Sequence, residues 1–254
     1  MSFTADWLGL REMYDIPARD KGLLEATGAW LKTRKAPLIA DIGTGTGANV
    51  RALSPQIPSD ARWRLIDRDE GLLETAERSA RGTGNETEVH VSDLAQDTAS
   101  AIEGADLVTA SAFFDLVSES WLEGFVASLP QDAAVYAALT YNGEEEWRPQ
   151  HADDNAVTDA FKAHQRTDKG FGPALGPAAG PRLAEMLRDA GYAVQVADSP
   201  WVLRGADDGF FIETLADGIA AAAKEIGADP VSWRAVERET VWIGHIDLFA
   251  TPPG

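Results

Sequence analysis

The stretch LIADIGTGTGANV, residues 38–50, limits what this chain can fold into more than any other segment. An apolar run carries an acid at Asp41, ends at Ile42, and is followed by glycine at three alternate positions, Gly43, Gly45 and Gly47. The run reads as a buried strand and the sequence after it as a helix starting near Gly47, so the glycines fall in the connecting turn. Glycine takes positive φ without a Cβ clash, and its bare backbone lets N–H groups approach a ligand at the partly positive end of a helix. A tight strand-to-helix turn would need only one glycine, so this turn is expected to cradle a ligand. The spacing also satisfies G-x-G-x-x-A through Gly43, Gly45 and Ala48, which keeps a dinucleotide open as the ligand at this point.

The rest of the chain continues the alternation of strand and helix. Apolar runs rich in Val, Ile and Leu occur at APLIADI, RWRLID, EVHVSD, ADLVTAS and AAVYAALT, separated by helical patterns, as parallel strands with crossover helices require. About 35 residues before the first run read as helix, with Leu23, Leu24, Ala26, Trp30 and Leu31 at helical spacing. After residue 141 the pattern loosens through NGEEEWRPQHADDN, gives a helix from about Asn155 to Gln165, and reaches TDKGFGPALGPAAGP, where seven of fifteen residues are Gly or Pro. Two further strands, YAVQVADSPWVL and ETVWIGHIDLFA, flank a helix with Phe211, Leu215, Ile219, Ala222 and Ile226 on one face. The expectation is one α/β domain over residues 1–254, a doubly wound sheet with helices on both faces. Within it lie an N-terminal helical cap (1–36), a ligand-binding core (37–141), a substrate lid (142–181) and a closing segment of helices and strands (182–254).

Charge narrows the partners. Lys and Arg number 22 against 41 Asp and Glu, a formal net charge of −19 that disfavours nucleic acid or an anionic membrane surface. The chain has no cysteine, so disulfides, a thiolate nucleophile and cysteine zinc sites are excluded, in keeping with an expected cytoplasmic location. No apolar run approaches the length of a membrane span.

With the acid before three alternate glycines, the chain resembles the class I, S-adenosylmethionine-dependent methyltransferases, whose first motif has that form. The resemblance implies a Rossmann-like sheet of seven strands, mostly parallel with an antiparallel last strand. It implies that Asp41, Gly43, Gly45 and Gly47 hold the methionine end of the cofactor. It assigns Asp67, at the end of WRLID, to the ribose hydroxyls, Asp93 of VHVSD to the adenine amino group, and Leu94 to the face of the adenine. Ser111, ending ADLVTAS, would line the floor beneath the methionine part. A carboxylate at the second strand suits a vicinal diol in a dinucleotide enzyme too, so a nicotinamide-dependent oxidoreductase is the alternative activity, and a non-catalytic cofactor-binding subunit the alternative class. Neither the third acid nor the antiparallel ending is explained by the dinucleotide reading.

The acceptor is then a small molecule, since SAFFD replaces the Asn-Pro-Pro-aromatic sequence of amino-directed nucleic-acid methyltransferases. No metal is expected; the magnesium-dependent catechol type resembles the chain only loosely, through Asp115 and Asn142. Phe113, Phe114 and Asp115 should face the transferred methyl group, and Arg166 and Lys169, among the glycines of the lid beside Phe171, suit an anionic acceptor. Because the sulfonium methyl is already electrophilic, the protein chiefly has to align the acceptor and exclude water, with His164 as the candidate base for a hydroxyl. A solvated helix-end position is the plainer reading of His164. His151 reads as a surface turn, His90 as a strand residue, and His245, which shares a strand face with Asp247, as a core or edge histidine. Trp7, Arg11, Tyr14 and Arg19 form either the opposite wall of the site or part of the core.

Overall fold

The structure, a computed structural model, describes residues 4–254; the first three residues of the expected helical cap lie outside it. Two helices lead, α1 (Ala5–Ala18) and α2 (Lys21–Leu31), each begun by a side chain that accepts a backbone N–H: Thr4 from Trp7 and Asp20 from Leu23. Then come β1 (Leu38–Ile42), α3 (Ala48–Leu53), β2 (Arg62–Asp67), α4 (Glu70–Arg81), β3 (Glu86–Val91), a single turn α5 (Thr98–Ala101) and β4 (Leu107–Ser111). The second half runs α6 (Glu119–Ser128), β5 (Ala134–Arg148), α7 (Asp154–Gln165), α8 (Ala179–Asp189), β6 (Ala193–Asp198), β7 (Trp201–Arg204), α9 (Gly205–Glu225), a short α10 (Val231–Arg234) and β8 (Thr240–Thr251).

The strands form one sheet in the order β3-β2-β1-β4-β5-β8-β6, with β7 also paired to β8. The pairs from β3 through β5 are parallel, and β8 runs antiparallel to β5, β6 and β7. The expected mostly parallel sheet with an antiparallel last strand is therefore present, but it has eight strands rather than seven. The extra one arises in YAVQVADSPWVL, which reads as one run. Ser199 and Pro200 interrupt it, so β6 pairs with the second half of β8 and β7 with the first.

Both faces of the sheet are covered. Side chains alternate across a strand, so on β5 Val135 and Ala137 join one cluster with Leu122, Phe125, Leu183 and Leu187, while Ala134, Tyr136 and Ala138 join another with Leu23, Leu31, Leu53 and Leu73. A third cluster gathers β7, the first half of β8 and α9 around Phe211, on which Tyr14 stacks at 4.0 Å and Trp7 at 5.8 Å. Trp7 and Tyr14 are thus core residues that dock α1, each such ring pair adding about 0.5–1.5 kcal/mol beyond its buried area.

Strand β5 runs seven residues past its expected end, so 142–148 is sheet rather than lid. Its polar NGEEEW sequence conceals this because the pairing with β8 shifts register between Tyr141 and Glu145, where Gly143 takes φ +85°. Beyond the shift Trp147 is buried edge-on against Trp233. A second register shift surrounds Leu139, whose N–H donates to the buried Asp247 carboxylate at 2.8 Å; the other oxygen accepts Asp20 N–H at 2.9 Å. Asp247 therefore ties the start of α2 to β5 and does not pair with His245.

Candidate functional site

Because β1 to β4 are parallel and adjacent, the residues that end them share one edge of the sheet. Asp41, Asp67, Asp93 and Ser111 all line one cavity there, with Gly43, Gly45 and Leu94. Four separated motifs of the sequence are thereby brought together, as expected for ligands at the carboxyl edge of such a sheet.

The glycine turn is shaped by contacts on both sides. Gly43 has φ +61°, and a Cβ there would lie 2.5 Å from Phe113 Cδ2; Gly45 has φ +54°, and its Cβ would lie 3.2 Å from Leu8 Cδ1. Thr44 N–H donates to Ile66 O at 3.0 Å and Gly45 N–H to Asp67 Oδ2 at 2.9 Å, so the turn is strapped to the end of β2. Gly47 differs. It caps α3 with φ +87°, its Cβ would meet Ala76 of α4 at 3.1 Å, and it is not among the cavity residues. A glycine there lets α3 and α4 pack closely.

Asp41 is buried, and both carboxylate oxygens are engaged within the protein, Oδ2 by the Thr44 hydroxyl at 2.5 Å and Oδ1 by Asn49 Nδ2 at 2.9 Å. Burial pushes its pKa up to about 6 despite these hydrogen bonds. Asp41 therefore organises the turn from beneath. Asn49 also donates to Thr109 on β4 at 3.0 Å, linking the first turn of α3 to two strands. Thr44 and Asn49 were not singled out from the sequence, although a buried acid before a glycine turn needs nearby donors, and a hydroxyl three residues on and an amide eight residues on supply them.

Asp67 is half-buried and accepts Gly45 N–H through Oδ2 and Asp69 N–H through Oδ1 at 3.1 Å. Asp93 is exposed and caps the turn after it, accepting Ala95 N–H at 3.1 Å and Gln96 Nε2–H at 3.0 Å; Asp97, not Asp93, precedes α5. Leu94 is buried beside it. Ser111 Oγ accepts from Arg19 Nη2 at 2.9 Å. Arg19 is itself buried, and its Nη1 has no partner among the described residues. Ala112, next to Ser111 on the cavity wall, has φ +50°, a strained conformation for a residue with a Cβ.

Opposite the glycines, Leu8, Arg11 and Asp15 of α1 close the cavity. Arg11 is held by Asp15 through two hydrogen bonds, at 2.9 and 3.2 Å, and lies over the Trp201 ring at 5.1 Å, while Trp201 Nε1–H donates to Asp15 at 3.0 Å. Phe113, Leu116, Lys169 and Phe171 line it as well. Lys169 is buried; Nζ donates to His164 O at 3.0 Å and to Thr167 Oγ1 at 2.8 Å, and no carboxylate pairs with it among the described residues. Burial lowers its pKa.

Arg166 and His164 are not brought to the cavity. Arg166 is exposed. The His164 ring is buried with Nε2 3.1 Å from Glu225 Oε2, so it faces the end of α9. Asp115 is buried one residue behind the wall formed by Phe113 and Leu116. Asn142 does not act as an acidic-site partner: its Oδ1 accepts Glu144 N–H at 2.9 Å in the β5 bulge. Among the described residues, no three acidic or histidine side chains cluster as metal ligands would.

The family described as "Methyltransferase domain" matches residues 39–131, the stretch that contains all the strand-end residues above. No curated protein sequence matches the chain. Among solved structures, a methyltransferase-type protein of Bacillus halodurans shares 13% identity with a TM-score of 0.54, covering 91% of this chain and 99% of its own. The cyclopropane synthase MmaA2 of Mycobacterium tuberculosis shares 13% with a TM-score of 0.52, over 98% and 95%. A methyltransferase of Geobacter sulfurreducens, solved with S-adenosyl-L-homocysteine, shares 15% with a TM-score of 0.50, over 100% and 99%. At such identities the likeness is one of fold. Residues 39–131 therefore match a methyltransferase domain, and the sheet order with its antiparallel closing strand gives the chain the fold of its solved neighbours.

Proposed function

We propose that the protein transfers a methyl group from S-adenosylmethionine to a small-molecule acceptor, releasing S-adenosylhomocysteine. The observation that carries this reading is the convergence of Asp41, Asp67, Asp93 and Ser111, from four successive strand ends, on one cavity floored by Gly43 and Gly45. The residues fit the cofactor chemically. Asp67 offers carboxylate lone pairs to vicinal hydroxyls, Leu94 an apolar face and Asp93 an acceptor for an exocyclic amine, while Gly43, Gly45 and Ser111 border the methionine end. The Geobacter sulfurreducens neighbour, crystallised with S-adenosyl-L-homocysteine, supports the same choice.

When bound, the cofactor supplies a methyl group already made electrophilic by the sulfonium. The chain's own work is to orient and to dehydrate. Phe113 and Phe171 line the reacting end with rings 5.5 Å apart, and Leu8 closes it from α1, so an acceptor there would sit in line and away from water. Lys169, a buried cation with no carboxylate partner among the described residues, favours an anionic group on the acceptor.

A thermal-shift series with S-adenosylmethionine, S-adenosylhomocysteine, NAD and NADP tests the reading, because a ligand that binds only the folded state raises Tm. Stabilisation by the first two alone is the expected result. Stabilisation by a nicotinamide cofactor alone would replace the methyltransferase with an oxidoreductase.

A further inference from the structure

Two arginines at the start of the chain hold donors that the protein itself does not use. Leu8, Arg11 and Asp15 stand three and four residues apart on α1, so they share one face of the helix, and all three line the cavity. Leu8 lays that face on the glycine turn, since its Cδ1 is 3.2 Å from the place a Cβ on Gly45 would occupy. Arg11, about one turn further along, therefore stands beside the end of the cavity that Gly43, Gly45 and Ser111 border. Its guanidinium is fixed before any ligand arrives. Asp15 takes one fork, accepting from Nε at 2.9 Å and from Nη2 at 3.2 Å, and the guanidinium carbon lies 5.1 Å from the centre of the Trp201 ring. Trp201 Nε1–H in turn holds Asp15 at 3.0 Å. A guanidinium has a second fork, made by the outer hydrogens of Nη1 and Nη2, and in Arg11 this fork meets no acceptor among the described residues. Arg19, which follows α1, faces the same end of the cavity: it is 3% exposed, donates to Ser111 Oγ through Nη2 and leaves Nη1 without a partner. Buried polar groups are nearly always satisfied, most of all charged ones, so open guanidinium donors around one end of a cavity point to an anion that belongs there.

We propose that the open fork of Arg11 receives the carboxylate at the amino-acid end of the cofactor, which makes this arginine the residue that selects for a cofactor carrying that group. The inference rests on the methyltransferase reading. A planar guanidinium meets a carboxylate through two parallel N–H···O bonds, which fix direction as well as distance. The amino-acid end of S-adenosylmethionine carries one carboxylate, and the open fork stands on the wall beside Gly45 that this end would reach. Lys169, the cation of the lid, suits this role less well: two of its three ammonium hydrogens go to His164 O at 3.0 Å and Thr167 Oγ1 at 2.8 Å, leaving one for a point contact. Because Asp15 and Trp201 already hold the Arg11 side chain, little further ordering is needed when the carboxylate binds. Anchoring that end also limits where the sulfonium can point, so Arg11 binds the cofactor and aims it.

Titration calorimetry with two ligands tests the proposal: S-adenosylhomocysteine, and S-adenosyl-3-thiopropylamine, which keeps the ammonium but lacks the carboxylate. Wild type should bind the first about 10–100-fold more tightly than the second. In Arg11→Gln the amine should bind within about threefold of its wild-type affinity while S-adenosylhomocysteine falls to the same level, so that the preference disappears. Retained affinity for the amine shows that the site is still folded. Arg11→Lys keeps the charge but not the fork and should keep only part of the preference; it carries the comparison if Arg11→Gln does not fold. A wild type that binds both ligands equally overturns the inference. So does an Arg11→Gln protein that keeps the full preference, which would reserve the fork for a carboxylate on the acceptor, or a folded one that loses both ligands by the same factor, which would leave Arg11 as wall alone. A wild type that binds neither ligand fails the methyltransferase reading instead.

Discussion

Replacing Gly43 by alanine tests the account of the glycine turn at its tightest point. Gly43 has φ +61°, and an added Cβ would stand 2.5 Å from Phe113 Cδ2, whereas carbon atoms pack at about 3.5–4.0 Å. The Phe113 ring would have to retreat by about 1 Å. It has little room, because Phe114, Trp121 and Phe171 meet it edge-on with centroids 5.8, 5.6 and 5.5 Å away. The left-handed backbone costs an alanine about 1–2 kcal/mol, and overpacking of this kind costs about 1–3 kcal/mol. Urea unfolding should therefore show Gly43→Ala destabilised by about 2–5 kcal/mol. The two contributions separate in a double-mutant cycle with Phe113→Leu, which makes space for the Cβ but leaves the backbone strained. The double variant should be more stable than the sum of the single effects by at least about 1 kcal/mol. Strict additivity, or a loss below about 0.5 kcal/mol for Gly43→Ala alone, would refute the proposed contact.

Other outcomes follow from the same geometry. Asp67→Ala should weaken S-adenosylhomocysteine binding in titration calorimetry by about 1.5–3 kcal/mol for each charge-assisted hydrogen bond removed, and unchanged affinity would exclude Asp67 from the site. Gly47→Ala, at φ +87° against Ala76, should lower the urea midpoint yet leave the intrinsic affinity for S-adenosylhomocysteine unchanged, since Gly47 packs helices rather than lining the cavity. Asp115 has a folded pKa raised to about 6 from 3.8, so the folded state binds the extra proton between those values. Its contribution to stability is full below about pH 4 and lost as pH rises through about 6. Between pH 4 and 7 the Asp115→Asn variant should gain on wild type by on the order of 3 kcal/mol in urea unfolding, and a constant difference would contradict the buried, uncompensated carboxylate.

Much of this protein was legible in local sequence because the signals are short-ranged. A strand buried on both faces shows as an apolar run, and a turn that must take positive φ shows as glycine, so β1, the turn after it and the acids ending β2 and β3 stood out. Parallel pairing then brings strand ends to one edge whatever lies between them, which is why Asp41, Asp67, Asp93 and Ser111 could be named together. Surroundings that depend on partners far along the chain leave no such local signal. Gly47 resembles its two neighbours in the turn, yet only the fold sets α4 against it. His164 lies on a helix leading into the lid, and only the packing of α7 against α9 turns its ring toward Glu225.

The sequence by itself determined the class of fold, the glycine cradle and the acids around it, because backbone sterics and hydrophobic periodicity act over a few residues. Tertiary structure alone decided that β5 continues beyond its bulge to meet β8, that Arg19 reaches Ser111 across 92 residues, and that Trp201 donates to Asp15 at the cavity wall. Those contacts join elements whose separation in the chain carries no periodic trace. They form because buried polar groups take their hydrogen bonds from whichever element packs beside them in the folded chain.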